Sequence, residues 1–321
     1  MNQANKSVLE QAASIVHTVV PPTPQFCWPL LSKHLGADVW VKHENHTGVG
    51  AFKVRGGVVF FDDLNGNKNN SGVISATRGN HGQSIGLNAR RYGIESTIVV
   101  PQGNSVEKNA AMRALGVDLI EHGDDFQAAR VHAEALSHER QLTMVPSFHP
   151  LLVRGVASYC LEFLSAVPDL HTVYVPIGLG SGICAMAAAR NALGLKTEIV
   201  GVVSSHATAY ADSFRERCYR ESPVSTKLAD GMACSTPVEE ALDIIWQEVS
   251  RIVEVTDEEV ASAMRLLFEC THNVSEGAGA AATAAAMQEQ SLNKGRRIGV
   301  VLTGGNVDSK VFSDVLGSRQ V

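Results

Sequence analysis

Residues 42–57 read KHENHTGVGAFKVRGG, Lys42 to Gly57, and a single lysine within them organises the chain. Lys53 sits between a glycine-loosened turn, Thr47-Gly48-Val49-Gly50, and a run from Phe52 to Leu64 that starts like a helix. The strand-like Asp38 to His43 comes just before. This order puts an amine at a helix N-terminus, where its surroundings can favour the neutral nucleophile that forms a Schiff base. The same stretch also reads as an exposed lysine opening a surface helix, since lysines are mostly solvated. The remainder of the chain separates the two readings.

Outward from this stretch, strand-like and helix-like runs alternate almost to the C-terminus. The pattern predicts strands at Val39–Lys42, Val73–Ala76, Ser96–Pro101, Asp118–His122, Leu142–Pro146, Val173–Ile177, Glu198–Ser204, Ile252–Thr256 and Ile298–Thr303. Helical periodicity falls between them, with Ala207–Arg220 and Asn306–Val315 among the helices. Val8, Ala12, Ile15 and Val16 outline a first amphipathic helix, which Pro21-Pro22-Thr23-Pro24 ends. Such alternation argues for an α/β protein of parallel sheets covered by helices.

Composition narrows the function. The 321 residues are 45% apolar and 19% charged, the balance of a soluble globular protein. A net charge of -6 argues against nucleic acid or an anionic membrane as partner. No apolar run is long enough to span a bilayer, and MNQANKSVLEQAASIV lacks the layout of a signal peptide. The six cysteines are scattered without a CxxC pair, which fits free thiols in a reducing cytoplasm. The twelve histidines show no zinc-ligand spacing.

Three strand ends are rich in glycine and hydroxyls, and ligands in open α/β sheets sit beyond the carboxyl ends of strands. Gly178-Leu179-Gly180-Ser181-Gly182 joins a buried-looking strand to an alanine-rich helix and suits a phosphate. A plain tight turn is equally open there. A dinucleotide site is less so, because Ile183 stands where a third glycine is wanted and Val202-Val203-Ser204-Ser205 brings no acid. In Thr77-Arg78-Gly79-Asn80-His81, side-chain donors sit beside free backbone N–H groups, a cup for a carboxylate or phenolate; a helix cap is the alternative. Thr303-Gly304-Gly305-Asn306 offers a hydroxyl and close backbone approach to a flat ring, or simply a turn.

Taken together and in this order, GAFKVRG, GNHGQ, the glycine loop and TGGN resemble the fold-type II pyridoxal phosphate enzymes, which share a tryptophan synthase β-like fold. The serine/threonine dehydratase and serine racemase group is the nearest match, and the likeness runs from Thr23-Pro24 to Asn306. The resemblance implies two domains, a small one at 71–150 packed on a large one built from 1–70 and 151–321. It implies pyridoxal 5'-phosphate on Lys53, with Phe52 flanking the ring and Asn80 bonding the phenolic oxygen. Gly178, Leu179, Gly180, Ser181 and Gly182 would hold the phosphate, Thr303 would face the pyridine nitrogen, and Glu276 would lie near the ring. Thr77, Arg78, Gly79 and His81 would line the substrate pocket. A neutral Thr303 hydroxyl cannot keep the ring nitrogen protonated as an aspartate would, which favours rapid loss of a β-hydroxyl over a long-lived carbanion. L-threonine and L-serine are therefore the default substrates, with 3-hydroxyaspartate or phenylserine as alternatives within that chemistry and cysteine-synthase-type β-replacement as a rival. A homodimer in the cytoplasm is the usual setting.

Some positions depart from the family pattern. Leu179 and Ser181 interrupt what is usually a run of four glycines. Arg78 stands where serine racemases carry a serine that acts as acid and base. Arginine stays protonated, so little racemisation is expected. Its guanidinium either points to solvent or pairs with a second substrate carboxylate. Val203 and Ala209 occupy the positions of the family's acidic cation ligands, so no metal is expected there. Asp212 and Glu216 read as a solvated helix face. Ala229-Asp230-Gly231-Met232-Ala233 matches a loop near the substrate entrance, without a catalytic role.

Overall fold

The computed structural model describes residues 5–66 and 71–318, so the expected domain boundary at 70/71 borders residues outside that range. The strands are β1 Gln25–Cys27, β2 Asp38–His43, β3 Val73–Ala76, β4 Ser96–Val100, β5 Asp118–Glu121, β6 Thr143–Met144, β7 Thr172–Pro176, β8 Glu198–Ser204, β9 Arg251–Val255 and β10 Arg297–Leu302. They form two sheets. One has the order β1-β2-β10-β7-β8-β9, the other β5-β4-β3-β6. Every pairing is parallel except β1 with β2.

Each sheet is covered on both faces because its strands are apolar on both faces. In β7, Val173 and Val175 face one core while Tyr174 faces the other. In β8, Ile199 and Val203 join the first core, Val200 and Val202 the second. The first core is closed by helices Pro150–Ala166, Ser181–Ala192 and Glu239–Glu248, the second by Pro29–Leu35, Asp257–Thr271 and Gly277–Gln288. Gly299 in β10 lets the Phe163 ring lie on the strand backbone: a Cβ there would come within 2.9 Å of that ring. The smaller sheet packs Ile98 and Val100 against Phe61, Ile85 and Met112 on one side, and Val99 against Ala129 and Ala133 on the other.

All nine strands expected from the sequence form. The sequence reading missed β1 and the helix Pro29–Leu35. Both are short: β1 has 3 residues and is recruited by pairing with β2, and the helix has 7, with proline at its start as the only local signal. Two expected helices are trimmed. The first runs Ala209–Glu216 and stops where Arg217 turns left-handed, at φ 54°. The last begins at Ser309, because the Asn306 side chain is used elsewhere, as described below. Asp212 and Glu216 pair with Arg215 and Arg220 on an exposed face. Among the described residues, no helix is long and apolar enough to cross a membrane.

Candidate active site

The turn before Lys53 is built by one hydroxyl and one glycine. The Thr47 Oγ1 accepts from the Ala51 N–H and donates to the Ala51 carbonyl, each at 2.9 Å. Gly50 has φ 69°, the left-handed region that glycine tolerates. The segment is then joined to the end of β10. Ala51 bridges Gly304, the Phe52 N–H donates to the Thr303 carbonyl at 3.0 Å, and the Gly305 N–H donates to the Gly50 carbonyl at 2.9 Å. Asn306 Nδ2 donates to the Val49 carbonyl at 2.8 Å. Thus TGGN holds the lysine's loop from the side.

The helix Lys53–Gly66 is held from below by Pro150–Ala166. A Cβ on Gly155 would sit 2.3 Å from the Arg55 carbonyl, and one on Gly56 would sit 2.8 Å from the Leu152 carbonyl. Two glycines therefore let the helix backbones touch. Lys53 emerges at the top of this contact, with its Nζ 5.0 Å from the centre of the Phe52 ring. Burial pulls its pKa below the ordinary lysine range, and Glu276 acts in the opposite sense. A buried amine is the more readily deprotonated one.

Lys53 opens into a cleft shared with Thr77, Arg78, Gly79, Asn80, His81, Gly178 and Leu179. The cleft encloses about 940 Å³ of empty space, counted out to solvent. The structure thus brings residues from two of the glycine-rich strand ends onto the cleft, while the third, Thr303 to Asn306, holds the loop of Lys53 from the side. Thr77 Oγ1 accepts from the Gly79 N–H at 3.2 Å, and the helix Asn80–Tyr92 starts at Gly79 without a side-chain cap. Its first N–H groups and its dipole face an anion site. The helix Ser181–Ala192 is likewise uncapped at Gly180, which is left-handed at φ 99°. A Cβ on Gly178 would meet the Gly231 carbonyl at 2.5 Å, and one on Gly180 would meet Ala241 at 2.6 Å. A Cβ on Gly182 would lie 3.8 Å from the Phe52 ring. Thr303 is buried at the end of β10.

His81 is buried, its Nε2 has no hydrogen-bond partner, and its pKa is lowered to about 3, by burial first and then by the nearby Lys53 charge. It is a neutral ring at physiological pH. Two uncapped helix starts and a half-buried amine on one cleft are what a phosphorylated aldehyde requires, N–H groups for its phosphate and an amine for its carbonyl. Pyridoxal phosphate therefore fits the residues present.

One part of the site escaped the sequence reading. Asn80 Nδ2 donates to Glu276 Oε1 at 2.5 Å, and Asn306 Nδ2 donates to Asn80 Oδ1 at 2.8 Å. Lys108 Nζ lies 3.2 Å from Glu276 Oε2 and 2.7 Å from Asp230 Oδ2. Burial lowers the Lys108 pKa, but the two carboxylates outweigh it and hold the ammonium charged. The Glu276 carboxyl is pushed up by burial, with Lys108 opposing. The Lys108 stem also fills the space over Gly79, where a Cβ would come within 2.5 Å of its Cδ. Asp230, in the expected entrance loop, is a partner of Lys108 in this network. Lys108 had one faint signal: it is a cation in the first turn of Val106–Ala114, where the helix dipole disfavours it.

A family model described as pyridoxal-phosphate dependent enzyme matches residues 16–304, and the chain belongs to that family. Its relatives include the L-threonine dehydratase catabolic TdcB of Staphylococcus aureus, strain USA300. That protein is 31% identical over 313 residues, which cover 96% of this chain and 90% of the relative. The processed form of threonine deaminase isoform 2 from Solanum lycopersicum superposes with a TM-score of 0.91 at 27% identity, covering 98% of this chain and 93% of that one. Maize serine racemase shares the fold, with a TM-score of 0.90 at 23% identity, covering 98% and 97%.

Proposed function

We propose that the chain is a pyridoxal-phosphate dependent ammonia-lyase that dehydrates β-hydroxy amino acids, L-threonine and L-serine by default, to 2-oxo acids. One observation carries the reading: a half-buried Lys53, its pKa lowered by desolvation, at a helix start and facing a cleft with two uncapped helix N-termini. The likeness to a threonine dehydratase over most of both chains supports it. When bound, pyridoxal phosphate withdraws electrons from the substrate's α-carbon and so acidifies its hydrogen.

The chain's own residues do the rest. Lys53 holds the cofactor and then takes the proton from the α-carbon as general base. The Gly178–Gly182 loop receives the phosphate on its helix N-terminus. Phe52 would flank the ring, Thr303 would serve its nitrogen and Asn80 its phenolic oxygen. Glu276, between Asn80 and Lys108, holds the Asn80 amide in place. Thr77, Gly79 and His81 receive the substrate carboxylate at the start of Asn80–Tyr92. The β-hydroxyl departs with a proton as water, and the enamine that is released hydrolyses to the 2-oxo acid and ammonia.

The two sheets support a division into a small domain, 71–150, and a large one, 1–70 with 151–321. A homodimer and a cytoplasmic location complete the proposal; all six cysteines are unpaired, which fits a reducing compartment. The test is ammonia and 2-oxo acid release from L-threonine and L-serine by the purified, cofactor-loaded protein. Lys53→Ala is expected to lose both the release and the coloured cofactor after dialysis. Wild-type activity in that variant refutes the reading.

A further inference from the structure

The charges that line the cleft are matched with partners, with one exception. Lys108 is shared between Asp230 and Glu276. Arg130 bonds Glu134 at 2.9 Å on an exposed helix face. His81 is neutral, and Lys53 is reserved for the cofactor. Arg78 also lines the cleft, half-buried, and among the described residues its guanidinium makes no hydrogen bond and no ion pair. Its backbone is fixed all the same. The Arg78 carbonyl accepts from Asn104 Nδ2 at 3.1 Å, and Asn104 is itself held by Asn109 at 2.7 Å. Its backbone is thus pinned by two buried amides, while the guanidinium keeps its planar fork of donors free for an anion that enters the cleft.

The site already supplies donors for two anions. The Gly178–Gly182 helix start serves the phosphate, and the Asn80–Tyr92 helix start with Thr77 serves the substrate's α-carboxylate. Arg78 is the residue between Thr77 and that helix start, so it stands beside the α-carboxylate cup and not in it. Ser147, Gln127, Ser235 and Thr236 also line the cleft, together with the ring of Phe126. Its one lining carboxylate, Asp230, is occupied by Lys108. A third anion, one carbon further along the substrate, would find a planar, permanently charged donor and no competing acid.

We propose that Arg78 receives a carboxylate borne on the substrate's β-carbon, which makes acidic β-hydroxy amino acids, with 3-hydroxyaspartate the smallest, the favoured substrates of this site. The reaction rests on the dehydratase reading. The α-C–H and β-C–O bonds break; the proton goes to Lys53, and in net that proton leaves with the hydroxide as one water. Hydrolysis of the enamine then consumes one water and yields a 2-oxo diacid and ammonia. Arg78 is a specificity residue in this scheme and moves no proton.

The test separates binding from turnover. Calorimetry on the cofactor-loaded protein compares L-aspartate with L-asparagine, which match in shape and differ in charge. Wild type is expected to bind aspartate about 30-fold more tightly, the size of a charge-assisted bidentate contact. Arg78→Gln is expected to bring the ratio below about 3-fold, and Arg78→Lys to keep part of it, as a point charge without the fork does. The ratio of kcat/KM for 3-hydroxyaspartate over serine falls in step. Equal affinities in wild type, which need no variant to measure, overturn the proposal; so does an undiminished ratio in Arg78→Gln with full cofactor content. If aspartate preference depends on Arg78 but no hydroxy amino acid releases 2-oxo acid, the carboxylate site stands and the dehydratase reading falls. If serine and threonine are dehydrated and Arg78→Gln leaves the ratio intact, the reverse holds.

Discussion

Replacing Arg55 by methionine tests what holds the lysine-bearing helix in place. Arg55 lies two residues beyond Lys53 and is fully buried. Its Nε donates to Glu44 Oε2 at 2.7 Å and its Nη2 to Glu44 Oε1 at 3.0 Å. Nη1 reaches Glu162 Oε1 at 2.7 Å and Ser158 Oγ at 3.1 Å. Lys42 Nζ donates to Glu162 Oε2 at 2.5 Å, and Thr23 Oγ1 to Glu44 Oε1 at 2.6 Å. Two cations and two carboxylates thus balance in the interior. Methionine keeps much of the packing volume but leaves Glu44 with the Thr23 hydroxyl and Glu162 with Lys42, His17 and the Thr23 N–H. Removing one partner of a buried pair costs about 3–5 kcal/mol. At roughly 2 °C per kcal/mol for a chain of this length, Tm is expected to fall by about 6–10 °C. The Glu162 carboxyl is pushed up by burial, but Arg55 and then Lys42 hold it below its ordinary range. A depressed carboxyl contributes stability above its unfolded pKa and loses it as pH falls through the folded value. The gap between wild type and Arg55→Met is therefore widest near neutral pH and narrows in acid. Urea unfolding of the cofactor-free proteins at pH 7.5 and at about pH 3.5, below the unfolded carboxyl value, measures both. A neutral-pH gap under about 1 kcal/mol, well short of the expected range, or one that widens in acid, would refute the reasoning.

Gly155→Ala places a methyl against the Arg55 carbonyl and forces the two helices apart. It is expected to cost about 1–3 kcal/mol and to weaken cofactor binding, read by unfolding and by equilibrium dialysis. The rate at which pyridoxal phosphate loads onto the apo protein should rise with the neutral fraction of Lys53, with a midpoint below the free-lysine range because burial lowers its pKa. Glu276→Gln removes the one opposing charge and should move that midpoint further toward acid; a shift toward alkali would contradict the assignment. Thr256 and Glu259 form a reciprocal cap on the helix Asp257–Thr271. Thr256→Ala should cost about 1 kcal/mol in urea unfolding, and an unchanged midpoint would show that the cap carries no stability.

The alternation of apolar runs with helical periodicity was enough to reach an α/β fold of parallel sheets, and GAFKVRG with its glycine-rich companions was enough to find the cofactor class. Both are local signals: a strand buried on two faces must be apolar throughout, and a phosphate loop must be poor in side chains. Neither β1 nor the helix Pro29–Leu35 could be read that way, since each depends on a neighbour for its pairing or burial. The chain from Asn306 through Asn80 and Glu276 to Lys108 and Asp230 lay equally beyond reach. Its members come from separate loops and helices, each an ordinary polar residue in its own segment. Local sequence thus determined the α/β alternation, the lysine at a helix start and the glycine-rich strand ends. Only tertiary packing decided which charges neutralise one another around them and left Arg78 unpaired, because Coulomb energy depends on distances through space and not on spacing along the chain.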